Sequence, residues 1–104
     1  MIRHIVALRL IPGADERELA SVMAGLDGLR DELEGFMDFR HGPNRDYESK
    51  SPEYPYGFVA DFADAPALER YAVHPAHRAL GARLTALCAG GGAGILVIDL
   101  EVPS

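Results

Sequence analysis

Tyr71, His74 and His77 fall within seven residues, in the segment Tyr71-Ala72-Val73-His74-Pro75-Ala76-His77. A phenol and two imidazoles at three-residue steps admit three chemistries. As a metal pair, His74 and His77 would need a third donor from His4 or His41. Pro75 leaves His74 at a helix cap with its direction unfixed, and no cysteine or acidic residue stands nearby at ligand spacing, so no metal is assigned. As an acid–base pair, His77 takes a proton and Tyr71 donates a hydrogen bond to a carbonyl oxygen. His77 is expected at the third position of a helix restarting at Pro75, where free N–H groups and the positive dipole end disfavour imidazolium. A lowered pKa keeps the ring neutral and basic near pH 7. Removal of a proton next to a carbonyl, with the oxyanion held by the phenol, suits this pair and needs no cofactor. As structural groups, the imidazoles only satisfy backbone atoms at a kinked helix junction, and Tyr71 is a core aromatic. Spacing alone favours this third reading.

Three further residues bear on the choice. His4 interrupts an otherwise apolar strand face, the usual place of a hydrogen-bonded core histidine; lying opposite the helix of His77, it is a candidate for the same pocket. Tyr56 opens an alternating aromatic strand and is expected to border that pocket too. His41 has no assigned face. Cys88 lies three helical turns beyond His77, a poor geometry for a Cys–His nucleophile, and reads as a small buried hydrophobe. Asp64 reads as a helix cap and Asp61 as a solvent-facing strand residue.

These side chains must be carried by elements that the sequence marks clearly. Residues 2–11 alternate, with Ile2, His4, Val6, Leu8 and Leu10 toward the helices and Arg3, Ile5, Ala7, Arg9 and Ile11 away from them. Pro12-Gly13 ends the strand. Asp15 and Glu18 fit a capping box, and Leu19, Val22, Met23, Leu26, Leu29 and Leu33 predict a helix over about 15–34, with Gly35 as its C′ residue. A second strand runs over 36–41, with Met37 and Phe39 inward. Residues 43–55, rich in Pro, Asn, Asp and Ser, read as a surface loop, more readily a mobile connector than the cover of a site.

The third strand places Tyr56, Phe58, Ala60 and Phe62 on one face. Asp64 caps a short helix with Pro66 in its first turn and Ala67, Leu68 and Tyr71 on its inner side. The chain breaks at His74 and restarts at Pro75, burying Ala76, Leu80, Leu84 and Leu87. The glycine-rich run 89–94 precedes a strand and lacks a Lys-Ser/Thr pair, so it is a turn and not a P-loop. The last strand, 95–102, is apolar on both faces over 95–98. The order β-α-β-β-α-β predicts an α+β, ferredoxin-like fold for residues 1–104: one antiparallel sheet with helices on one face. The bare face, with Ile5, Ala7, Ile11 and part of the last strand, is too apolar for water, which predicts a homodimer through the open sheet face.

Composition narrows the function classes. Hydrophobic residues make up 48% and charged residues 25% of 104, the balance of a single globular domain. Acidic residues outnumber basic ones by 16 to 10, and the basic ones form no run. Nucleic-acid binding is therefore not expected, because it rests on clustered cations. The longest apolar stretch is far short of a membrane span, and the first strand does not read as a signal peptide. A single cysteine excludes an intrachain disulfide and points to the cytoplasm.

Taken together, the opening Ile2-Arg3-His4-Ile5-Val6, Phe39 and Gly42 followed by Asn44, the strand from Tyr56 to Phe62 and the Tyr-x-x-His-Pro-x-His motif ending at His77 resemble the stress-responsive dimeric α/β-barrel (Dabb) family over nearly the whole chain. The resemblance implies a ferredoxin-like fold and a dimeric α/β barrel. It also implies a small-molecule pocket for a carbonyl-bearing, aromatic or polyketide-like ligand. A plant polyketide cyclase of that family closes its substrate by aldol condensation, and the acid–base residues of its motif match Tyr71 and His77. Its first-strand histidine matches His4, and its third-strand histidine falls at Tyr56. The resemblance thus implies catalytic Tyr71 and His77, with His4, Tyr56 and His74 binding substrate. Two alternatives stand beside it: a non-catalytic stress-response protein with structural histidines, and a cofactor-independent monooxygenase-like enzyme.

Overall fold

The computed structural model describes residues 1–104. The chain forms β1 (Ile2–Leu8), α1 (Glu16–Gly28), β2 (Phe36–Pro43), β3 (Tyr56–Phe62), α2 (Ala65–Val73), α3 (Pro75–Thr85) and β4 (Ile95–Glu101). The four strands make one antiparallel sheet in the order β2-β3-β1-β4, with the helices on one face. This is the expected ferredoxin-like βαββαβ arrangement, its second helix broken in two at His74.

The core forms where the inner sheet face meets the helices. Val6, Leu8, Phe58, Ala60 and Phe62 from the central strands pack against Leu19, Val22, Met23 and Leu26 of α1 and Tyr71 of α2. Burial of these aliphatic and aromatic groups is the main favourable term in folding. Arg83 of α3 clasps Glu18 of α1 through two hydrogen bonds, at 2.6 and 3.1 Å, and also donates to the Ser21 hydroxyl at 3.0 Å. That contact explains why Asp15 caps α1 alone, accepting from Arg17 N and Glu18 N: the Glu18 carboxylate of the expected capping box is held by Arg83 instead.

Several boundaries depart from expectation. The α-helical part of the first helix stops at Gly28 and tightens into a 3-10 turn over Leu29–Asp31. Gly35 does adopt the left-handed conformation, at φ 85°. The first strand ends at Leu8, and Leu10 keeps only an isolated bridge to Cys88. Met37, expected inside, is 48% exposed. A register shift between Phe36 and Asp38 inserts one residue, so Phe36 and Phe39 both point inward and Met37 is turned out.

The segment between β2 and β3 is laced rather than loose. Asn44 donates to Ser51 Oγ and Tyr54 O, each at 2.8 Å, while the Asp46 carboxylate accepts from Lys50 N and from both Ser51 N and Oγ. These donors hold the Asp46 carboxyl below its ordinary value.

At the far edge, Leu96, Val97, Ile98 and Leu100 of β4 are each 43–46% exposed. Within one protomer neither face of β4 is buried: Leu96, Ile98 and Leu100 pair with Ala7, Ile5 and Arg3 on the bare face, and on the inner face Val97 lies beyond α1 and α2, which cover β2 and β3. On the bare face Ile98 and Ile5 are cross-strand neighbours, as are Ile5 and Val59.

Candidate active site

Pro75 creates the site by breaking a helix. Without an N–H, and with His74 forced into an extended conformation (ψ 131°), it interrupts the hydrogen-bond ladder between α2 and α3. Two groups that would have met in a continuous helix, Ala76 N–H and Ala72 C=O, are each taken by an imidazole. Ala76 N–H donates to His74 Nδ1 at 3.0 Å, and His77 Nδ1–H donates to Ala72 O at 3.2 Å. A carbonyl only accepts, so in the neutral His77 ring the proton sits on Nδ1 and Nε2 keeps its lone pair. His74 has the opposite arrangement, with Nδ1 as acceptor and helix cap.

Tyr71 lies against this kink. It is 1% exposed, and no group of the chain lies within hydrogen-bonding distance of its hydroxyl. Its ring sits 4.1 Å from His77, 5.0 Å from Phe62 and 5.2 Å from Phe36, centroid to centroid. Burial pushes the phenol well above its ordinary pKa, so it stays protonated and keeps a hydrogen to donate near neutral pH. His77 moves down from its ordinary value. Burial is the largest cause, opposed by the bond to Ala72 O and aided by His4, His74 and Arg78. The direction matches expectation, but the leading cause is burial rather than the helix terminus.

His4 completes the cluster. Its ring is 6.0 Å from Tyr71 and 6.2 Å from both Phe58 and Phe62. Its Nδ1–H donates to Asp99 Oδ1 at 2.5 Å, across the β1–β4 ladder where the two residues are directly paired. A carboxylate accepts only, so this bond fixes the ring and leaves Nε2 for another partner. Asp99 is a residue that sequence reasoning missed. Its signal was present: a lone acid inside the apolar run of β4, on the same face as Val97.

His4, Tyr71 and His77 are thus brought together, with His74 capping the adjoining helix. Tyr56 is placed elsewhere. It pairs with Leu8 and Pro43, four residues along β3 from Ala60, the residue opposite His4. At the strand rise this is about 13 Å. There its hydroxyl lies 2.6 Å from His41 Nδ1, and both residues line a cavity of about 570 Å³ between the start of α1 and the sheet. A shallower hollow of about 320 Å³ lies partly over Ile5, Ala7 and Val59. Neither hollow is lined by Tyr71 or His77: Tyr71 is buried among its aromatic neighbours, while His77 is half-buried. Cys88 is buried, as expected, and burial raises its thiol pKa.

No helix is long and apolar enough to cross a membrane. Among curated proteins, none matches the chain. Solved structures do. A dimeric ferredoxin-like protein of unknown function from Jannaschia sp. CCS1 is 50% identical, with a TM-score of 0.92 over 97% of this chain and 98% of that one. Hydroxynitrile lyase from Passiflora edulis shares the fold at 12% identity and a TM-score of 0.80, covering 98% of this chain and 93% of that one. SnoaB, a cofactor-independent oxygenase from Streptomyces nogalater, shares it at 16% identity and a TM-score of 0.75, covering 99% and 93%. The profile described as Stress responsive A/B Barrel Domain matches residues 2–102. With that match over nearly its full length, the chain belongs to the stress responsive A/B barrel domain family.

Proposed function

We propose that the protein is a homodimeric, cofactor-independent acid–base enzyme acting on a small carbonyl compound, of the aldol cyclase or lyase type. In this reading His77 Nε2 removes a proton from the carbon next to the carbonyl, and the Tyr71 hydroxyl donates to the oxygen that becomes negative. His4, held by Asp99, orients the substrate, and His74 keeps the start of α3 in place. The observation that carries the reading is the Tyr71 hydroxyl: buried, protonated and without a partner in the chain, beside a neutral imidazole. Leaving such a group unsatisfied costs roughly 1–3 kcal/mol, an expense that an accepting ligand oxygen offsets. His77 is only half-buried, and in this reading the substrate reaches the pair from its side. The apolar bare sheet face and the dimeric state of the Jannaschia protein support the homodimer.

A second reading is favoured by one specific observation: His74 and His77 take up Ala76 N–H and Ala72 C=O, the two groups that the break at Pro75 parts. On that reading both histidines are structural and the protein is a non-catalytic member of its family. Proton NMR in heavy water separates the two. The acid–base reading expects exchange of the α-protons of aryl ketones, catalysed by the native protein and lost in Tyr71→Phe without loss of fold. Exchange at the solvent rate with every ketone tried, together with a lower melting temperature for His77→Ala, supports the structural reading. Oxygen uptake during turnover would instead indicate oxygenation.

A further inference from the structure

The cavity of about 570 Å³ beside Tyr56 is separate from the Tyr71–His77 pair. Phe39 and Phe58 stand between them: His41 packs on Phe39 at 5.9 Å, Phe39 on Phe58 at 5.2 Å, and only then Phe58 on His4 at 6.2 Å. Its volume is that of an ordinary ligand site. Leu10, Ile11, Leu19 and Ala20 give it apolar walls. The polar feature facing them is the His41–Tyr56 pair.

If the Tyr56 O–H donates to His41 Nδ1, the neutral imidazole is left with an N–H at Nε2. If His41 Nδ1–H donates to the Tyr56 oxygen, the phenol O–H is left. Either way the pair keeps one donor and one free lone pair, and the donor is what a ligand acceptor takes. Burial raises the Tyr56 pKa, which keeps the phenol neutral and the donor in place. The charge around the cavity selects further. No lysine or arginine lines it, and Glu16 is the one charged residue that does. A carboxylate, phosphate or coenzyme A tail would meet an acid and no cation there.

We propose that this cavity binds a neutral, largely hydrocarbon ketone whose carbonyl oxygen accepts a hydrogen bond from the His41–Tyr56 pair. The proposal stands whether or not Tyr71 and His77 are catalytic.

Fluorescence titration with Prodan, a neutral naphthyl ketone whose emission shifts to the blue out of water, tests it on the intact protein. Saturable blue-shifted binding is expected. Ala20→Trp, on the exposed side of α1, fills the cavity and is expected to abolish binding. The double variant Tyr56→Phe/His41→Leu is expected to weaken it at least tenfold, and Tyr71→Phe to leave it unchanged. The anionic dye anilinonaphthalene sulfonate is expected to bind at least tenfold more weakly than Prodan. No saturable binding overturns the proposal, as it would if a segment of a second copy fills the cavity. Binding indifferent to Ala20→Trp places the dye on the bare sheet face and overturns it as well. Loss on Tyr71→Phe, indifference to the double variant, or tighter binding of the sulfonate does the same.

Discussion

His4 and Asp99 face each other across the β1–β4 ladder, with the imidazole Nδ1 2.5 Å from the carboxylate Oδ1. Strand pairing alone sets the orientation of an imidazole that borders Tyr71. The Asp99 side chain is 43% exposed, so the pair adds little to stability, ~1 kcal/mol at most. Asp99→Ala is therefore expected to shift the denaturant midpoint only slightly while lowering ketone turnover about 10- to 100-fold through misorientation. Equal losses of stability and turnover would point to a packing role instead.

Tyr71→Phe separates stability from function in the opposite sense. It removes a hydroxyl that has no partner while keeping the ring against Phe36, Phe62 and His77. Urea unfolding is expected to show unchanged or increased stability, by up to about 1–3 kcal/mol. Turnover is expected to fall by two to three orders of magnitude, the usual effect of losing one oxyanion donor. A clear destabilisation would reveal a partner for the hydroxyl in the dimer.

Acid affects His77 in a defined direction. Its pKa in the folded chain lies below the unfolded value of 6.5, chiefly through burial. Between those two values the unfolded chain binds more protons than the folded one, so acidification destabilises. The contribution is fully present above about pH 6.5 and is lost as the pH falls toward the folded value. His77→Gln, measured by urea unfolding from pH 7.5 to 5, should show a shallower decline than the native chain. The acid limb of ketone turnover should also lie below pH 6.5; a limb above it contradicts a neutral basic His77.

The glycine run before β4 is a packed corner. A Cβ on Gly94 would lie 2.2 Å from Ala89 O, and Gly90 adopts a left-handed φ of 76°. Gly94→Ala is expected to cost about 1–3 kcal/mol, read as a lower melting temperature, because backbone rather than a flexible side chain must move. A neutral substitution would mean that the turn is far looser than its contacts.

Ile5 occupies the middle of the bare face, between Val59 and Ile98. Ile5→Glu places like charges at the centre of a two-fold interface formed by this face. Sedimentation velocity is expected to show a dimer for the native protein and a monomer for the variant. A variant that remains dimeric would place the interface elsewhere.

The sequence made the sheet and helices legible because their patterns are local. Alternation along β1 and β3 showed which side chains meet the helices, and Asp15, Asp64 and Pro75 marked where helices begin. Met37 was misplaced because a bulge shifts parity by one residue, and nothing in Phe36-Met37-Asp38 announces it. The site was readable in part for the same reason. Tyr71 and His77 flank the helix break at Pro75, so their meeting depends on a local kink that the sequence marks. The partnerships His4–Asp99 and His41–Tyr56 depend on the register of strands far apart in the chain. Tyr56, expected to border the pocket of His4 and His77, lies farther along the inner face because alternation gives the face of a residue but not its place along the sheet.

The exposed side chains of β4 also bear on how the protein is made. Newly folded, a lone protomer presents an edge strand whose unpaired N–H and C=O groups could template pairing with another chain. Its aliphatic side chains add a second attraction. Productive assembly then competes with aggregation, and the balance depends on how many folded copies are present at once. Melting temperature should accordingly rise with protein concentration, since association draws the equilibrium toward the folded state.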